Sequence, residues 1–91
     1  MSSQNKQCLA ALAMDLKRVA LGYYHGSNKT AERFFDEALE RRREIELSGV
    51  KPYVRKLLLK LDSIKKEKDV SRRAEDALMY STLFQNAALS N

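Results

Sequence analysis

The chain has no tryptophan, one cysteine, one proline, one histidine and three glycines, and its aromatic content is 8%. Each shortage excludes something. The lone cysteine, Cys8, has no second thiol with which to close a disulfide, and small secreted domains usually carry several; the reading is a protein of the reducing cytoplasm. Neither CxxC nor HExxH spacing occurs, so no metal site is expected. Few glycines and few β-branched Val and Ile residues argue against a chain of strands. No apolar run approaches the ~20 residues that cross a bilayer. The greasiest stretch, residues 8–14 (CLAALAM), ends at Asp15 and has only Lys6 as a charge before it. It reads as part of a first helix and not as a cleaved leader.

What the sequence does contain is helical periodicity in four places. Leu9, Leu12, Leu16, Val19, Ala20 and Tyr23 recur at intervals of one, three and four residues. So do Phe34, Phe35, Ala38, Leu39 and Ile45, then Val54, Leu57, Leu58, Leu61 and Ile64, then Ala74, Ala77, Leu78, Ser81, Phe84 and Ala88. Such spacing gives each helix an apolar stripe that must be buried against another. Short punctuated joins separate the stripes. Gly26 suits the left-handed residue that closes a helix, and Ser27 or Asn28 suits the cap of the next. Ser48-Gly49 stops the second helix, and Pro52 sits where a first-turn proline loses no hydrogen bond. Asp69 or Ser71 suits the last cap. Short joins make consecutive helices antiparallel. The expectation is an all-α, up-down four-helix bundle in one domain, 1–91, with helices at 5–24, 28–47, 52–66 and 71–88.

Catalytic chemistry is hard to find. A nucleophile needs an adjacent base, yet Cys8 and His25 lie near opposite ends of one helix, roughly 25 Å apart at 1.5 Å per residue. Glu-x-x-His pairs and glycine-rich phosphate loops are absent. Glu32, Asp36, Glu40 and Glu44 follow one another at four-residue steps, interleaved with Arg33, Glu37, Arg41 and Arg43. That pattern reads as a lattice of ion pairs, with Arg43 reaching back to Glu40. No enzyme, cofactor or metal is expected.

Binding is the remaining class. The fourth helix is apolar on more than one side, carrying Met79, Tyr80, Leu83, Ala87 and Leu89 besides its stripe, and Leu59 lies off the main face of the third. A surplus of this kind marks a surface that pairs copies or docks a partner. The first expectation is therefore a non-enzymatic protein-interaction or regulatory module, a homodimer, with Leu59, Met79, Tyr80, Leu83 and Phe84 at its interface. The alternative is nucleic-acid binding. The chain carries a net charge of +5, and residues 51–73 hold nine Lys/Arg against three Asp/Glu. Clustered cations beside a phosphate backbone release counterions, which nominates Arg55, Lys56, Lys60, Lys65, Lys66, Arg72 and Arg73.

Overall fold

The first helix, α1 (Ser3–Tyr24), begins where the Ser2 side chain accepts a hydrogen bond from the backbone N–H of Asn5, satisfying one of the free first-turn donors. It ends at Gly26, whose φ of 76° permits the left-handed residue needed there. The N–H of Ser27 then reaches the Gly22 carbonyl at 2.8 Å and that of Gly26 the Tyr23 carbonyl at 3.1 Å, the paired closing bonds of a Schellman motif. The next helix, α2 (Asn28–Arg43), follows at once. Ser27 flanks its start, but its hydroxyl donates to Thr30 Oγ1 and caps no amide.

In the computed structural model, which describes residues 1–90, the remaining elements are a 3₁₀ turn (Leu47–Gly49), α3 (Pro52–Leu59), α4 (Leu61–Lys66) and α5 (Val70–Leu89). Pro52 occupies the first turn of α3, and Asp69 caps α5 by accepting from the N–H groups of Ser71 and Arg72.

The order of contacts gives the topology. Along α1, Asn5, Asp15 and Tyr23 meet Glu46, Arg41 and Glu32 in turn, so α2 runs back against it. Ala13 and Tyr23 meet Ser81 and Arg73, so α5 does the same on another side. Asp36 reaches Lys65 while Arg42 reaches Leu58 and Asp62, which sets α3 and α4 antiparallel to α2. The result is the up-down bundle expected, 36 Å long and 18–19 Å across.

Two boundaries differ from expectation. The second helix stops at Arg43, short of Leu47, because Asn5 grips the chain beyond it. The Asn5 amide donates to the Glu46 carbonyl and accepts from the Glu46 N–H, at 3.1 and 3.0 Å. That clamp ends the helix and turns Ile45 into the core. The third helix is not continuous either. Arg42 donates to the Leu58 carbonyl at 3.1 Å, and a side chain inserted into a helical ladder bends it. At Lys60 the N–H is shared between the Lys56 and Leu57 carbonyls, and α4 begins after that tightened step.

The centre of the molecule is α1. It contributes ten buried residues against six from α5, so the apolar surplus of the last helix does not reflect a central position for it. The predicted stripes of α1 and α3–α4 enter the core, with Leu57 partly covered. On α5 the stripe enters except for Leu78, which is exposed.

Candidate interaction surface

Two charged clusters bind the helices together and leave the surface beyond them to be explained. Asp15 sits in phase with Leu12, Leu16 and Val19 and is wholly buried. Arg41 Nε donates to it at 2.7 Å, and Arg18 lies at 3.4 Å. Burial pushes the Asp15 carboxyl above the ordinary carboxylate range, although the Arg41 hydrogen bond pulls against it. In the second cluster Tyr23 donates to Glu32 Oε1 at 2.6 Å, and Arg73 donates to both, at 2.8 and 2.7 Å. Arg73 also donates to the Glu67 carbonyl. Burial, then the hydrogen bond to Glu32, raises the phenol above its usual value. Every buried side-chain nitrogen and oxygen among the described residues has a partner, so these clusters are complete as they stand.

The acidic line of α2 resolves as ion pairs, three of its four members being engaged. Glu32 pairs with Arg73, Asp36 with Lys65 and Glu40 with Arg43. Among the described residues no group of three or more His, Cys, Asp or Glu is placed to hold a metal. Cys8 is a half-buried free thiol near the start of α1, and His25 is an exposed residue at its end.

The predicted interface residues separate. Phe84 is 0% exposed and belongs to the core, because its position on α5 faces α1 with Ala77, Ser81 and Ala88. A residue so buried offers nothing to a partner. Tyr80 and Leu83 are half-buried, and the Tyr80 ring meets Phe84 edge-on at 6.1 Å. Met79 and Leu59 are open, at 52% and 59% exposure. Met79 and Tyr80 come together in a groove of about 340 Å³ between α4 and α5, with Lys60, Ser63, Ile64, Glu67 and Asp76 as its other walls. Neither Leu59 nor Leu83 lines that groove. Burial, followed by the charge of Asp76, holds the Tyr80 phenol above its ordinary value.

The groove lies where α3 and α4 stand off from α5, and a second one of about 380 Å³ lies between α1 and α5, beside Met14 and Leu78. The backbone of α1 runs close to those of α2 and α5 along their lengths, whereas α3 and α4 approach α5 at few points. Val54, Leu58, Leu61 and Ile64 bridge the gap to the core with long side chains.

The predicted basic surface also divides. Arg73 is held in the Tyr23–Glu32 cluster with its side chain 15% exposed, and Lys65 pairs with Asp36. Both are spent inside the fold, because helix packing brings the acids of α2 to them. Arg55, Lys56, Lys60, Lys66 and Arg72 are exposed and enter no ion pair among the described residues. Residues 47–61 contain no Asp or Glu, so α3 carries Arg55 and Lys56 without an acid of its own.

Asn5, Asp15, Arg41 and Arg42 are structural polar residues that periodicity alone passed over. Asp15 left a signal, since a charge three residues after Leu12 and four before Val19 falls on the buried stripe. Asn5 left none, because its partner lies 41 residues away.

Compared with protein-family models, curated proteins and solved structures, the chain matches none of them. No helix among the described residues is long and apolar enough to cross a membrane.

Proposed function

We propose that this protein is a small non-enzymatic interaction module that acts as a homodimer in a reducing cytoplasm. The observation that carries the reading is the groove between α4 and α5, where a half-exposed Met79 and a partly open Tyr80 share an apolar floor with Ile64. An apolar surface held open by helix spacing gains free energy when a partner covers it. The experiment is sedimentation equilibrium of the full chain and of Met79→Glu. A mass that rises with concentration in the parent and stays monomeric in the helical variant supports the reading. A parent that is monomeric throughout, or a variant that associates as tightly, removes the groove from it.

A second reading has its own observation. Arg55, Lys56, Lys60, Lys66 and Arg72 are exposed and without ion pairs, and such cations favour a phosphate backbone. Fluorescence anisotropy with mixed-sequence DNA and RNA at about 50 and 200 mM salt tests it. Binding that falls steeply with salt, and weakens when Arg55 and Lys56 are both changed to Glu, supports nucleic-acid binding. Its absence at the lower salt retires that reading.

A further inference from the structure

Three stretches of the chain hold no Asp or Glu: residues 1–14, 47–61 and 77–90. The fold brings all three to one end of the bundle. Met1 from the first, Lys51, Tyr53 and Val54 from the second, and Ala87 and Ser90 from the third line one hollow of about 60 Å³. Cations at this end are displayed, not paired. Lys51, Lys56 and Lys60 are exposed and enter no ion pair among the described residues. Tyr53, Lys56 and Lys60 follow at steps of three and four residues, so they share one flank of α3 and its cap over roughly 10 Å. That flank looks toward α5, because Tyr53 shares the hollow with Ala87, and Lys60 shares the groove with Met79 and Tyr80. The Tyr53 ring is 50% exposed among these lysines.

Acids bound this tract at both ends. Glu44 and Glu46 precede the 3₁₀ turn, and the Glu46 carboxylate accepts from the Ser48 hydroxyl. Glu67 and Asp76 share the groove beyond Lys60, so the tract stops there, and Lys66 and Arg72 lie outside it. Arg55 stands on the other flank of α3, seven residues before Asp62, whose carboxylate Arg42 already holds. We infer that the flank from Lys51 to Lys60 takes a single strand of nucleic acid, its phosphates on Lys51, Lys56 and Lys60 and one unstacked base on the Tyr53 ring. A cationic track beside an open aromatic face is the chemistry that holds such a strand. A duplex keeps its bases stacked and offers Tyr53 no face. An anionic lipid surface needs a broad apolar face to bury, and here only Tyr53 and Leu59 stand out from α3.

The inference rests on the nucleic-acid reading, and the choice of probe and variant separates the two. Fluorescence anisotropy compares a labelled single strand of about 12 nucleotides with the same sequence as a duplex, on the full chain. Circular dichroism confirms that each variant is helical. The single strand is expected to bind at least tenfold more tightly than the duplex. Tyr53→Ala should weaken that binding about tenfold and leave its salt slope unchanged, while Tyr53→Phe, which keeps the ring, stays within about twofold of the parent. Changing Lys51 and Lys56 together to Gln should instead flatten the salt slope by roughly 1.4, the share of two phosphate contacts on a single strand. Equal affinity for strand and duplex, or a Tyr53→Ala variant that binds like the parent, overturns this site and leaves the nucleic-acid reading standing. No binding of either probe at about 50 mM salt overturns both. Binding to vesicles of equal parts phosphatidylserine and phosphatidylcholine, with none to the oligonucleotides, overturns both in favour of a lipid surface.

Discussion

Helices α1, α2 and α5 set alanines and a glycine beside their buried Leu and Phe residues, whereas α3 and α4 reach the same core through Val54, Leu58, Leu61 and Ile64 alone. Ala13, Ala20, Gly22, Ala31, Ala38, Ala74, Ala77 and Ala88 are buried in the first group. Where two small residues meet, the backbones come close: an added Cβ at Gly22 would lie 3.0–3.1 Å from the backbone and Cβ of Ala31. The second group contributes Val54, Leu58, Leu61 and Ile64, and it is tied to the rest by Arg42 and Lys65. Even this close packing leaves a groove of about 380 Å³ between α1 and α5, with Met14 and Leu78 exposed beside it. The stand-off segment leaves a groove against α5 and carries Arg55, Lys56, Lys60 and Lys66, which enter no ion pair among the described residues. Close helix contacts are thus concentrated in one part of the molecule, and α3 and α4 are the part more open to local unfolding.

The largest test of this contrast truncates equivalent side chains in the two parts. Leu16 on α1 and Leu58 on α3 are both fully buried. Leu16→Ala is expected to cost about 4–5 kcal/mol, because close-packed neighbours cannot settle into the cavity, and Leu58→Ala about 2–3 kcal/mol, because α3 can. Urea unfolding measures both. Equal losses would mean that the two parts are one packing unit.

Next in size is Gly22→Ala. The new methyl group meets backbone, which must shift, so a loss of about 1–3 kcal/mol is expected despite alanine's better helix propensity. A gain in stability would show that α1 and α2 are free to separate.

Removing the tether sharpens the contrast further. Arg42→Ala frees the Leu58 carbonyl and the Asp62 carboxylate, at a cost of about 1 kcal/mol. Amide hydrogen exchange should quicken across α3 and α4 and stay unchanged in α1. A uniform increase would show that α3 and α4 do not open on their own.

The smallest effects concern pH, and their signs differ between the parts. Asp15 has its folded pKa raised by burial, so the stability it contributes declines as pH climbs from the ordinary carboxyl value through the folded one. Asp62, on α4, has its own lowered by the Arg42 hydrogen bond, so its contribution is present above the ordinary value and fades as pH falls. The stability difference between parent and Asp15→Asn should therefore fall with rising pH, and that for Asp62→Asn should rise, by well under 1 kcal/mol at so exposed a pair. Slopes of the same sign would contradict the burial assigned to Asp15.

Much of the architecture was legible before any coordinates. Apolar residues at three- and four-residue steps, Gly26 between two stripes and Pro52 before a third are local signals, and local signals survive in a linear chain. The end of α2 and the bend at Lys60 were not legible, because Asn5 and Arg42 impose them from 41 and 16 residues away. The exposure of the residues proposed for an interface was legible in part. Periodicity marked Met79 as surplus to the α5 stripe and put Phe84 within that stripe, which outweighs its nomination for an interface, but it could not show that Leu59 lies off the groove.

Composition and periodicity by themselves determined an all-helical chain, the number of stripes to be buried and the positive balance of residues 51–73. Those properties depend on residue type and spacing alone. Only the tertiary structure decided which charges are used up within the fold, that α1 is the centre, and that α4 and α5 stand apart. These outcomes depend on the distance between helices, which is set by how small residues on one segment meet small residues on another far along the chain.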